Sequence, residues 1–126
     1  MQVTHRDEAV RLSLPASRDY VRVVRLTASA IATNLDFDVD ELDDLRVGIG
    51  ELANVALEAS RPGATLEIVF TVAGSDLHIE GTVPAEAGRV VELDSLTRQI
   101  LEGVVDDYSI EIVDGSVRFS CTRRPW

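Results

Sequence analysis

Thr65-Leu66-Glu67-Ile68-Val69-Phe70-Thr71-Val72 and Leu77-His78-Ile79-Glu80-Gly81-Thr82-Val83, joined by Gly74-Ser75-Asp76, decide the fold. Apolar and polar residues alternate through both halves, the period of a strand with one buried face, and the glycine-centred joint reads as a hairpin turn. Upstream, the apolar residues recur instead at three and four. Tyr20, Val23, Val24, Thr27, Ala28 and Ile31 mark a first amphipathic helix, with Ser17 placed to cap it and an end near Asn34. Leu42, Leu45, Ile49, Leu52, Ala53 and Ala56 mark a second, from about Val39 to Ser60, which Arg61-Pro62-Gly63 breaks. Before both lies Val10-Arg11-Leu12-Ser13-Leu14, a short alternating strand that Pro15 stops.

Downstream of the hairpin, Leu96, Ile100, Leu101 and Val104 give helical spacing to the segment Leu93 to Val104. Tyr108 to Val113 and Val117 to Cys121 then alternate around Asp114-Gly115, a strong two-residue turn signal. The order β-α-α-β-β-α-β-β predicts an α/β (α+β) two-layer sandwich. About five strands form a mixed, mostly antiparallel sheet, three helices cover one face, and the other face is open to solvent or a partner. Residues 1–9 read as a flexible N-terminus, 10–123 as a single domain and 124–126 as a tail. In that tail Trp126 is mobile or anchors an interface.

The chain has 126 residues, 45% of them apolar and 27% charged, which suits one soluble globular domain. Asp and Glu number 22 against 12 basic residues, for a net charge of -10. Such a surface repels nucleic-acid phosphates, and only Arg123 and Arg124 are adjacent basic residues. Every basic residue is arginine, so lysine chemistry, from a P-loop to a Schiff base, is excluded. Cys121 is the only cysteine, and His5 and His78 are the only histidines. No internal disulfide and no zinc spacing follow. Asp36-Phe37-Asp38-Val39-Asp40-Glu41 opens like a calcium loop, but the sixth position needs Gly and the twelfth Glu, where this chain has Glu41 and Val47. The same residues suit a helix start, with Asp38 and Glu41 as a capping box. Met1 to Glu8 is polar and no apolar run follows, so neither a secretory signal nor a membrane span is expected, and the expected compartment is the cytoplasm.

Leu12-Ser13-Leu14-Pro15-Ala16-Ser17, Val21-Arg22-Val23-Val24-Arg25 and Asp43-Asp44-Leu45-Arg46-Val47-Gly48-Ile49-Gly50-Glu51, in this order of elements, resemble the anti-sigma-factor serine kinases of bacterial partner-switching systems. The resemblance covers roughly residues 10–123. It implies a histidine-kinase-like ATPase fold and a protein that binds an alternative sigma factor and its antagonist. It also implies phosphorylation of a serine on that antagonist with ATP and magnesium, and a homodimer formed through the first strand and helix. Arg25, and secondarily Arg22, fall where the family presents an arginine to its partners.

The family's second helix carries a Glu that acts as base and, four residues later, an Asn that holds magnesium. Glu51 matches the first, but Val55 stands four residues on and offers no lone pair. Asn54 comes one residue early, a rotation of about 100° around a helix. In the register that fits Asn54, Gly50 replaces the Glu. The family's Asp-x-Gly-x-Gly after the third strand is replaced by Gly81-Thr82-Val83-Pro84-Ala85-Glu86-Ala87-Gly88, and Val90-Val91-Glu92-Leu93 stands where a second glycine-rich turn would be. Only Arg89 offers a nearby cation to a triphosphate. The expectation is therefore a regulatory binder without catalysis or cofactor, in which Glu51 and Asn54 are vestiges of the base and the metal ligand. The alternative is an ATP- and magnesium-dependent serine kinase that uses both in a distorted site.

Overall fold

The computed structural model of the protein describes residues 8–125. His5 and Trp126 lie outside them. Five strands form one sheet in the order β1-β2-β3-β5-β4, with every neighbouring pair antiparallel. The strands are β1 (Glu8–Pro15), β2 (Thr65–Ala73), β3 (Asp76–Pro84), β4 (Asp107–Val113) and β5 (Ser116–Arg123). Three α-helices, α1 (Val21–Thr33), α2 (Val39–Glu58) and α3 (Ser95–Val104), cover one face.

The alternation read from the sequence is the pleat observed. Leu66, Ile68 and Phe70 of β2, Leu77, Ile79 and Val83 of β3, and Val117, Phe119 and Cys121 of β5 are buried together under the helices. From α2 they meet Leu45, Ile49, Leu52, Ala53 and Ala56, and from α1 Val24, Ala28 and Ala32. Burial pushes the Cys121 thiol up to about 12, so it is a small core hydrophobe rather than a nucleophile. Gly81 lies directly between Ile68 on β2 and Phe119 on β5. A Cβ there would stand 2.1 Å from the Phe119 ring, so the missing side chain is the space the ring fills. Asp114 and Gly115, both at positive φ, make the β4–β5 turn, as the Asp-Gly pair predicts.

The helix starts show their causes. Asp38 accepts from the Glu41 amide at 2.8 Å, and Glu41 accepts in return from the Asp38 amide at 2.9 Å, which closes the predicted capping box. Three readings need correction. Ser17 caps a short 3-10 turn, Arg18–Tyr20, and α1 begins only after it. Tyr20 and Val23 are 41% and 37% exposed, because Val21, Val24, Ala28 and Ala32 form the stripe that meets the sheet. Leu96 is 67% exposed, and Leu101 is the buried residue of α3. Among the described residues no helix is long and apolar enough to cross a membrane.

Candidate functional site

On α2, residues 43, 47, 50 and 54 follow one another at four, three and four, so they form a stripe along one side of the helix. That stripe faces α1 across an outer groove of about 400 Å³ lined by Arg25, Asp43, Arg46, Val47, Gly50, Glu51 and Asn54. The structure thus brings Arg25, Glu51 and Asn54 together. Arg22, three residues before Arg25, is exposed and does not line the groove.

Gly50 makes room for the arginine: a Cβ there would lie 2.7 Å from Arg25 Nε. The Arg25 side chain has no hydrogen bond or ion pair among the described residues. Arg46 reaches Asp43 at 3.4 Å, but its Nε is buried without a partner. The groove therefore holds guanidinium groups with unused donors, one neutral amide at Asn54 and two carboxylates at Asp43 and Glu51. Val47, 45% exposed, adds an apolar wall. Sequence reading singled out Arg25, Glu51 and Asn54 as site residues and used Asp43, Arg46, Val47 and Gly50 only within the stretch that carries the resemblance, although the helical spacing from Asp43 to Asn54 was the available signal.

Val55 faces elsewhere. It lines a separate cleft of about 100 Å³ between α2 and the connection after β3, with Glu58, Ala59, Arg89, Val90, Val91 and Glu92. Ten residues, 85–94, make that connection, and the first two of them are tied down. The Glu86 amide donates to the Ala59 carbonyl at 2.9 Å, the Ala85 amide to the Gly115 carbonyl at 2.8 Å, and the Arg61 amide to the Pro84 carbonyl at 2.9 Å. Arg89 Nη2 donates to the Glu58 carbonyl, and Arg89 Nε lies 3.6 Å from Glu86 Oε1. The guanidinium thus occupies the mouth of the cleft by bonding the end of α2.

His78 is half-buried on the open sheet face, with Nδ1 2.8 Å from Thr122 Oγ1. Among the described residues no cluster of three His, Cys, Asp or Glu is arranged to hold a metal ion.

No protein-family model matches the chain. It is 27% identical over 97 residues to the serine-protein kinase RsbW of Halalkalibacterium halodurans, spanning 76% of this chain and 58% of that one. It is 27% identical over 99 residues to the anti-sigma-F factor RsbW of Mycobacterium tuberculosis, spanning 79% of this chain and 59% of the relative. The chain thus spans less than two thirds of the length of these relatives. A solved structure of the RsbU and RsbW domains of Rv1364c from Mycobacterium tuberculosis superposes on 93% of the chain, and on 32% of its own, with a TM-score of 0.72 at 16% identity. The fold is the one that the resemblance implied, and the chain is similar in sequence to RsbW proteins named both as kinases and as anti-sigma factors.

Proposed function

We propose that this chain is an anti-sigma-factor-like regulator of a partner-switching system, working in the cytoplasm, that binds a sigma factor, its antagonist, or both, and does so without ATP binding or phosphoryl transfer. The observation that carries the reading is the division of α2 between two sides. Glu51 and Asn54, the residue types of a base and a metal ligand, open on the α1 groove beside Arg25, while Val55 faces the connection that would have to cover a nucleotide.

That cleft does not fit a magnesium nucleotide. Its volume of about 100 Å³ falls below the roughly 300–1,000 Å³ of small-molecule sites. Valine gives a cation no oxygen, and Arg89 turns Nη2 to a backbone carbonyl of α2 and Nε toward Glu86. Binding to protein surfaces needs none of this. The sequence similarity to anti-sigma-F factor RsbW supports such partners, and so does the acidic charge, which suits a basic promoter-binding surface on a sigma factor. Arg25, with no internal ion pair, supplies the partner contact, and Arg22 extends it. Dimerisation through β1 and α1 belongs to the same proposal.

The test is binding of the sigma factors and antagonists of the source cell to the immobilised chain, with and without magnesium and ATP. Complex formation that ignores the nucleotide and falls at least about tenfold in Arg25→Glu, equivalent to about 1.4 kcal/mol, is the expected result. No binding to any of them defeats the proposal. The second reading, an active serine kinase, rests on the similarity to serine-protein kinase RsbW, and radiolabelled phosphate transferred to an antagonist serine would favour it.

A further inference from the structure

β4 is an edge strand, pairing only with β5 among the described residues. Edge strands of soluble proteins are usually blunted by proline, lysine, a bulge or extreme shortness. β4 has no proline or lysine and carries charge only at Asp107 and Glu111: Asp107-Tyr108-Ser109-Ile110-Glu111-Ile112-Val113 runs for seven residues in unbroken register from Asp107 opposite Thr122 to Val113 opposite Ser116. The two-residue turn makes Val113 and Ser116 a hydrogen-bonded pair. Alternation then commits the peptide groups of Glu111 and Ser109 to β5 and turns those of Tyr108, Ile110 and Ile112 outward.

The side chains of those same three residues pack, half-buried, on the helix side of the sheet. There a groove of about 380 Å³ runs along the strand, with Val91, Leu93, Tyr108 and Ile110 as apolar wall and Arg98 and Glu102 at its rim. The Tyr108 hydroxyl donates to Glu102 at 3.2 Å, which fixes the ring at one end. On the opposite face of the strand Asp107, Ser109 and Glu111 are exposed.

We infer that β4 accepts an extended segment of another protein as a sixth strand, and that the segment alternates apolar with basic residues. Side chains opposite Tyr108 and Ile110 enter the groove, one opposite Ile112 continues the same face, and all three are apolar. Those between them lie beside Glu111, whose β5 neighbour is Arg118, and Asp107, which Arg124 approaches at 3.7 Å, on a chain of net charge -10, and are basic. This site shares no lining residue with the α1–α2 groove and does not depend on the function proposed above.

The probe is a synthetic eight-residue peptide alternating Val and Lys, titrated into the full chain labelled with ¹⁵N. Saturable one-to-one binding is expected, with slowed exchange at the amides of Tyr108, Ile110 and Ile112. N-methylation of the valines, whose N–H groups face β4, should weaken binding at least about tenfold, while methylation of the lysine nitrogens on the outer edge leaves it unchanged. Glu111→Lys should weaken it about fivefold, since an opposed charge pair across strands is worth up to roughly 1 kcal/mol. The inference is overturned if binding does not saturate, if both methylation patterns act alike, or if the protected amides lie elsewhere. Sedimentation showing a dimer whose β4 amides are already protected without peptide would also overturn it, by naming a second copy as the occupant.

Discussion

Gly81 shows most plainly how one residue sets the packing of this sheet. The Phe119 ring lies across it, closer than any side chain at position 81 would permit, and Ile68 flanks it on the other side. Gly81→Ala must displace an aromatic ring in the middle of the core, and overpacking of this kind costs about 1–3 kcal/mol. Denaturant unfolding is expected to show that loss with an unchanged slope, whereas Gly103→Ala, where an added Cβ meets nothing within 4 Å, should not destabilise. At this scale the sequence was only partly legible. It identified Arg25, Glu51 and Asn54, but nothing in a linear string says that Gly50 is small because Arg25 lies over it.

Among the elements, α3 is capped by the residue just before it. Its cap, Asp94, accepts from the Thr97 amide at 2.7 Å, and that bond, followed by the Thr97 hydroxyl, holds the carboxyl below its ordinary 3.8. A carboxyl lowered by folding contributes stability that is fully present above the unfolded value and is lost as the pH falls through the lower, folded one. Unfolding of the wild type and of Asp94→Asn should therefore differ at pH 7, and the difference should shrink below pH 3.8. A constant difference down to pH 2 would remove the cap from the account.

Element order, both hairpins and the capping box of α2 were legible because each rests on local chemistry: alternation, a turn pair, and two side chains three residues apart. The stripe each helix buries was less so. Tyr20, Val23 and Leu96 fit a helical period, yet they stand exposed, since the period fixes an angle between residues and not which angle meets the sheet. The division of α2 into two sides was likewise implied by the mismatch of Asn54 and Val55, but needed the neighbouring elements to say what each side faces.

For the whole molecule, the end of β5 acts as a clasp. Arg123, with its side chain 12% exposed, reaches Asp44 of α2 at 3.2 Å and Asp106 before β4 at 3.8 Å, and the Arg124 amide donates to the same Asp106 at 2.8 Å. Arg124 reaches Asp76 at the start of β3 at 3.2 Å. These bonds join helix layer to sheet and close one end of the sandwich in a chain of net charge -10. Arg123→Met is expected to cost about 1–3 kcal/mol, less than a fully buried pair because Asp44 remains partly hydrated. Thermal unfolding at low and high salt checks it, and the loss should be larger at low salt.

The same scale holds the proposal that the fold is kept as a protein-binding surface, with Val55, Arg89 and a short connection lining the narrow cleft where a nucleotide would need space. Isothermal titration of magnesium-ATP into the full chain tests it most directly. No binding heat is expected up to millimolar nucleotide. A one-to-one isotherm of micromolar affinity that disappears when magnesium is removed would contradict it.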